Sequence, residues 1–366
     1  MYIHEQKEWP NFIWNNDELL DMLSKVSFAE GSLLGKMQGL GFDVQQEALL
    51  DNLTEEITKS SEIEGELLNK DEVRSSIARR LNIHNEKSIN SSHHIDGVVE
   101  IMIDATHHFE KPLTYERLCG WHAALFPTGY SGMYKIKTAC YRDDKDGPMQ
   151  VVSNNRGREI VYYEAPKAVL INEYMNDFFK WINAKDNINP LIKVAISHLW
   201  FITIHPFEDG NGRIARAVTE YMLAKAERSS YRFYSLSAQI QKEKNDYYQI
   251  LENTQKGTLD ITTWIKWFLE MMLKSIETAE TTVGKIMIKA ERWREFNKFP
   301  LDEKQKKMIN MLFDGFEGNL TSSKWAKICK CSQDTASRSI KQLVEFGILE
   351  QQGSGRSTHY ILTCGE

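Results

Sequence analysis

The stretch from Pro190 to Ile204 constrains this chain more than any other. Leu191, Ile192, Val194, Ala195, Ile196, Leu199, Trp200, Phe201, Ile202 and Ile204 leave it apolar on nearly every side. A helix of that kind has no face to offer water and must be surrounded by other elements. Pro190 suits its first turn, where no amide hydrogen is needed. His205-Pro206 ends it, because the residue before a proline is driven out of the helical region. Gly210-Asn211-Gly212 then permits a tight turn with positive φ. Ile214, Val218, Tyr221 and Met222 mark one face of a second helix. The fold expected from this centre is mainly α.

The turn between the two helices has its own chemistry. The backbone N–H groups of Gly210, Asn211 and Gly212 fall at a helix N-terminus, where unpaired donors and the helix dipole favour an anion. Arg213 and Arg216 are three apart and reach the same side of that helix. Their planar guanidinium groups suit phosphate oxygens. A bare carboxylate at Asp209 would repel phosphate, so its better reading is a ligand for Mg²⁺ held against substrate phosphates. His205 has the proton affinity of a base near neutral pH.

Composition narrows the setting. The chain has 366 residues, a length that suggests two or three domains. It is 42% hydrophobic and 26% charged, as ordinary globular proteins are. A formal net charge of −6 gives no global bias toward nucleic acid. No apolar run reaches membrane-span length, so no membrane partner is expected. The first residues, Met1-Tyr2-Ile3-His4-Glu5, do not form a secretory signal, and a cytoplasmic protein is the expectation. Five scattered cysteines, Cys119, Cys140, Cys329, Cys331 and Cys364, are expected to be reduced thiols. The pairs His93-His94 and His107-His108 lack acidic or cysteine partners at ligand spacing, so a metal site is not expected there.

Taken as a whole, His205-Pro206-Phe207-Glu208-Asp209-Gly210-Asn211-Gly212-Arg213-Ile214-Ala215-Arg216 resembles the signature of the Fic family. That signature is His-Pro-Phe-x-(Asp/Glu)-Gly-Asn-Gly-Arg-x-x-Arg, and every specified position is met. The resemblance implies a helical Fic fold with one β-hairpin flap, and transfer of a nucleotide monophosphate, usually AMP from ATP, to a protein hydroxyl. It implies His205 as base, Asp209 on Mg²⁺, the 210–212 turn on phosphate oxygens, and Arg213 and Arg216 on the distal phosphates. The alternation at 149–153 and 160–163, around a polar turn at 154–158, reads as a hairpin. Its position is similar to the family's flap, which covers the nucleotide and pairs with the target backbone, and this brings Val152 and Ser153 to the nucleotide. Tyr247 and Tyr248 resemble nucleoside-side positions, and Gln255 falls where some members have asparagine. The family often has an arginine after Gly-x-aromatic; here Gly132-Met133-Tyr134 is followed by Lys135, and Arg142 comes later.

A helix expected over residues 44–68 carries Leu49, Leu50, Leu53 and Ile57 on one stripe, which Ser60 and Glu64 continue. From pattern alone, Glu64 is as well explained by a helix end leaving the core, with Gly65 as the terminator. Ser60, Glu64 and Gly65 also resemble the (Ser/Thr)-x-x-x-Glu-(Gly/Asn) element of one Fic class. That resemblance implies an inhibitory glutamate that pairs with Arg216 in the place of the γ-phosphate.

The expected organisation is an N-terminal helical region (1–93), a catalytic domain (94–274), a helical connector (275–298) and a C-terminal module (299–366). The last resembles a winged helix-turn-helix, with helices at 304–313 and 333–346, a cap at Thr321 or Ser322, and Gly353 and Gly355 at a hairpin tip. Ser337, Arg338, Lys341 and Arg356 are its candidate DNA contacts. Nine Lys or Arg against eight Asp or Glu over 302–366 make it nearly neutral, so a protein-contact or homodimer role is an equal alternative. Two further functions stay open: transfer or removal of another group (UMP, phosphate, phosphocholine, or AMP itself), and a DNA-binding regulator whose Fic domain senses nucleotide.

Overall fold

The computed structural model describes all residues except 84–88, 146, 156–157, 314 and 364–366, together with the side chains of all described residues other than 153–155, 158–160 and 356. The chain divides into two units, Met1–Thr281 and Thr282–Glu366. Among the described residues no helix is long and apolar enough to cross a membrane. Cys119, Cys140, Cys329 and Cys331 are free thiols; Cys364 lies outside the described residues.

The first unit opens with an extended strap. Ile3 is fully buried, and Ile13 bridges Asp260, its N–H donating to the Leu259 carbonyl at 2.9 Å. Three helices follow: α1 (Asn16–Gln38), α2 (Phe42–Ile63) and α3 (Lys70–Leu81). The Asn15 side chain caps α1, and Leu19, Val26, Ala29, Leu33 and Met37 bury one face of it. That face carries the helix through Gly31 and Gly35. In α2 the expected stripe is buried from Leu49 through Ser60. The helix stops at Ile63, five residues short of its expected end. Gly65 takes φ +84°, its N–H donates to the Glu62 carbonyl at 2.9 Å, and the Glu66 N–H reaches the Ser61 carbonyl at 3.0 Å. This Schellman turn satisfies the last carbonyls and redirects the chain.

After α3 come α4 (His93–His107), α5 (Tyr115–Leu125), two hairpins and six more helices, the last running past Thr281. A short hairpin, β1 (Tyr130–Ser131) with β2 (Tyr134–Lys135), is one the sequence does not announce. The expected hairpin is β3 (Gln150–Asn155) with β4 (Arg158–Glu164). Its pairing continues to Asn154↔Glu159 and Asn155↔Arg158, so the strands are longer and the turn shorter than residue polarity suggests. The Arg156 and Gly157 of the expected turn lie outside the described residues. Then come α6 (Ala168–Asn183), α7 (Pro190–Ile204), α8 (Asn211–Glu227), α9 (Leu236–Lys242), α10 (Lys244–Gln255) and α11 (Thr262–Phe296). Every residue of α7 from Leu191 to Ile204 is buried, and the helix packs against α6 and α8. No proline interrupts 262–296, and residues of the expected connector continue a helix that begins at Thr262.

The second unit contains α12 (Glu303–Phe313), α13 (Ser322–Ile328), α14 (Gln333–Glu345) and a hairpin of β5 (Leu349–Gln352) with β6 (His359–Leu362). Thr321 caps α13, Ser332 caps α14, and Trp325, Ile340, Leu343 and Ile348 lie in its core. Ser337, Arg338 and Lys341 are exposed on α14, while the Arg356 side chain lies outside the description.

Two helices of the first unit approach closely at Gly97. A Cβ there would stand 2.0 Å from the Ala124 carbonyl oxygen, so α4 meets α5 through bare backbone. Gly97→Ala is expected to lower the unfolding free energy by about 1–3 kcal/mol. Gly120→Ala, where nothing lies within 4 Å, should be neutral or slightly stabilising in the same denaturant titration.

Candidate active site

At the end of α7, His205 takes a left-handed backbone, φ 51° and ψ 59°. Its Nδ1 lies 3.2 Å from the Ile202 carbonyl, so Nδ1–H donates there and Nε2 keeps its lone pair. Burial pushes the imidazole pKa down to about 4; Arg142 acts in the same direction, against the Ile202 carbonyl, Glu64 and Asp209. The ring is neutral at pH 7, the form that accepts a proton.

The 206–212 loop is held by its own side chains. Asn211 is 2% exposed, and its amide spans the loop, accepting from the Phe207 N–H at 2.9 Å and donating to the Phe207 carbonyl at 2.8 Å. Its side chain thus braces the turn with its oxygen and one amide N–H. Phe207 stacks on His122 with centroids 4.1 Å apart. The fully buried His122 accepts from the Ala139 N–H at 3.1 Å and donates to the Asp209 carbonyl at 3.2 Å.

Asp209 is half-buried beside the start of α8. One carboxylate oxygen accepts from the Gly210 N–H at 2.5 Å and the other from the Ser131 hydroxyl on β1. Among the described residues no group of three or more His, Cys, Asp or Glu could hold a metal ion. A lone carboxylate of this kind fits Mg²⁺ that arrives with most of its ligands on a nucleotide.

Both motif arginines point at the end of α2, and each meets a carboxylate. Arg216 is 2% exposed. Its Nε donates to the Ser60 hydroxyl at 2.8 Å and its Nη2 to the Ser60 carbonyl at 2.7 Å. Nη2 also lies 2.8 Å from Glu64 Oε1, while Nη1 is buried with no hydrogen-bond partner among the described residues. Glu64 is not inside the core stripe. It caps α2, about one-third exposed, and its carboxylate lies over Gly212, where a Cβ would meet Oε1 at 2.0 Å. Arg213 donates to Glu66 at 2.6 Å, and the other Glu66 oxygen lies 2.5 Å from His94 Nε2. Sequence reasoning missed Glu66, His94, His122 and Ser131 as site residues and left the role of Arg142 open. Each lies outside the motif, and spacing carries no sign of its approach.

The nucleoside-side candidates are placed differently from one another. Tyr247 is buried, with its hydroxyl 2.9 Å from His198 Nε2, and Gln255 is buried with Nε2 on the Thr203 hydroxyl at 3.3 Å. Tyr248 is 40% exposed and its hydroxyl lies 3.4 Å from the Ile63 carbonyl at the end of α2. Val152 is 42% exposed on β3, and the Ser153 side chain lies outside the description.

His198 yields a stability test. It is fully buried between Thr219 and Tyr247, and burial, with Arg216 adding to it, lowers its pKa from 6.5 to about 3. The unfolded chain then binds the proton that the folded chain refuses. Stability from neutral His198 is whole above about pH 6.5 and is lost as pH falls toward about 3. His198→Gln should remove up to about 1.4 kcal/mol per pH unit of that acid dependence, read from denaturant unfolding across the window.

Residues 112–223 match the sequence profile described as the Fic/DOC family, and residues 2–83 match one described as a domain of unknown function, DUF4172. A Nematostella vectensis protein named protein adenylyltransferase Fic is 32% identical over 117 residues, 31% of this chain and 26% of that protein. The chain thus matches about a quarter of that relative's length. Among solved structures, a Fic family protein from Desulfovibrio desulfuricans G20 superposes with a TM-score of 0.52 at 20% identity, over 95% of this chain and 96% of that one. A Fic domain containing signaling protein from Bacteroides thetaiotaomicron gives 0.50 at 19%, over 73% and 97%. These likenesses show the Fic fold, and the Fic/DOC profile match at residues 112–223 contains the complete motif.

Proposed function

We propose that the Fic domain transfers AMP from ATP to a Ser, Thr or Tyr hydroxyl of a target protein, itself included, and that Glu64 restrains it. The observation that carries this reading is the Glu64 carboxylate on Arg216 and above Gly212. A carboxylate settles there because the start of α8 and a buried guanidinium attract an anion. A phosphate would be drawn by the same donors, and the unpartnered Arg216 Nη1 is one more.

In the proposed reaction His205 Nε2 takes the proton of the target hydroxyl. The hydroxyl oxygen attacks the α-phosphorus, the bond to the bridging oxygen breaks, and pyrophosphate leaves. The α8 amides, Arg213 and Arg216 hold phosphate oxygens in place, since such transfers depend on positioning and charge stabilisation. Mg²⁺ bound with the nucleotide would be held by Asp209 and would neutralise phosphate charge. Val152 and Val161, exposed on the β3–β4 hairpin, leave room for a target segment to add as a strand. Glu64 on Arg216 puts a carboxylate where a distal phosphate would settle, and Glu66 holds Arg213 in the same way.

Glu64→Gly is expected to raise transfer and self-labelling roughly tenfold or more, the value of one charge-assisted contact. Mass spectrometry after incubation with ATP, Mg²⁺ and a cell lysate identifies the added group and the labelled peptide. A variant that labels no faster than the parent would contradict the restraint. His205→Ala in the same background should abolish transfer while ATP still binds; retained transfer would remove His205 as base.

A further inference from the structure

Arg142 belongs to no motif. It lies between β2 and β3, and its side chain is fully buried. A buried guanidinium is tolerated only when its N–H groups find acceptors. Here the acceptors come from three different segments. Nε donates to the His205 carbonyl at 2.8 Å, Nη2 to the Pro166 carbonyl at 2.5 Å and Nη1 to Asp144 at 2.8 Å. The Arg142 backbone N–H adds a bond to the Pro206 carbonyl at 2.9 Å. Pro166 stands just beyond β4, at the foot of the hairpin. Asp144 in turn accepts from the Ala168 N–H at 2.6 Å, at the first residue of α6.

One side chain therefore ties the backbone of the base to the foot of the hairpin and to the start of α6. The position matters because His205 is in the left-handed region, which a residue with a Cβ does not hold unaided. The carbonyl that Arg142 grips is the one on the far side of that unusual residue. Two of the three side-chain acceptors are neutral carbonyls, which a neutral donor would satisfy. The third is the Asp144 carboxylate, and the positive charge that pairs with it also acts on the imidazole.

We propose that Arg142 is a positioning residue for His205, fixing the backbone of the base against the foot of the β3–β4 hairpin so that the imidazole keeps a single setting. The charge has a second effect, since it disfavours the imidazolium. The other charged groups facing His205 are Glu64 at the end of α2 and Asp209 in the loop, and both favour the imidazolium. The proposal rests on His205 acting as base in the transfer reaction above.

The test compares Arg142→Met and Arg142→Lys with the parent, each in the full chain carrying Glu64→Gly. Four quantities are read: kcat for transfer against pH, affinity for Mg²⁺ and α,β-methylene-ATP, melting temperature, and the His205 imidazole titration by NMR. Arg142→Met should lower kcat by roughly tenfold to a hundredfold, as small misplacements of a reacting group do. Affinity for the ATP analogue should stay within about twofold, which separates loss of positioning from loss of binding. The acidic limb of the kcat profile and the His205 midpoint should both move up toward 6.5, the value without the buried environment. Arg142→Lys keeps a charge and one donor, and should recover part of kcat. Unchanged kcat in a folded Arg142→Met protein overturns the proposal. So does a fall in kcat matched by equal loss of analogue affinity and melting temperature, with the His205 midpoint fixed. If Arg142→Met does not fold, the same comparisons on Arg142→Lys decide. If the Glu64→Gly parent transfers nothing from any nucleoside triphosphate, the activity reading fails by itself, and the His205 titration alone decides whether Arg142 sets the histidine.

Discussion

A guanidinium that is 2% exposed, in the second turn of α8, is the constraint on which the arrangement turns. Arg216 cannot be buried beside α7 without acceptors, because an unpaired buried charge is strongly destabilising. In this structure α2 supplies them from one turn: the Ser60 hydroxyl, the Ser60 carbonyl and the Glu64 carboxylate. The docking of α2 is therefore tied to satisfying α8. A guanidinium so placed can exchange one set of acceptors for another, and phosphate oxygens have the matching geometry.

The attachment of α2 is uneven along its length. Lower down, buried Glu56 accepts from Ser235 at 2.7 Å and from the Ser237 N–H at 3.0 Å, and Asn52 donates to the Arg232 carbonyl at 3.1 Å. These bonds join α2 to the start of α9 and the segment before it, away from the motif. Beyond Ile63 only the Schellman turn remains, and its acids are each about one-third exposed. The firm part of the helix thus carries a small, wetter turn to the site. Replacing two carboxylate contacts there disturbs far less buried surface than lifting the helix would.

The motif loop depends on residues outside it to a similar degree. Asn211 closes the loop from within, while His122 and Arg142 grip the carbonyls of Asp209 and His205 from without. Ser131 reaches Asp209 from a hairpin of only four paired residues. The two-residue strands of that hairpin are too short for alternation to be visible, so residue patterning gave no warning of it. The same holds for Arg142, whose neighbours Asp143, Asp144 and Lys145 suggest a solvated run.

The sequence by itself determined the buried helix 190–204, the turn after it, the residues proposed as base, metal ligand and phosphate clamp, and the helical class. These follow from local rules: uniform apolarity, an X-Pro stop, glycine freedom and the side shared by residues three apart. It also pointed to Glu64, though as a continuation of an inward stripe. Tertiary structure alone decided that α2 ends at Ile63, that Glu64 reaches Arg216 from a helix cap, and that Glu66 meets Arg213. It also decided that Tyr247 and Gln255 face the interior while Tyr248 stays partly open. The reason is that such pairings join residues up to about 150 positions apart, as Arg216 and Ser60 are, and only packing brings them together.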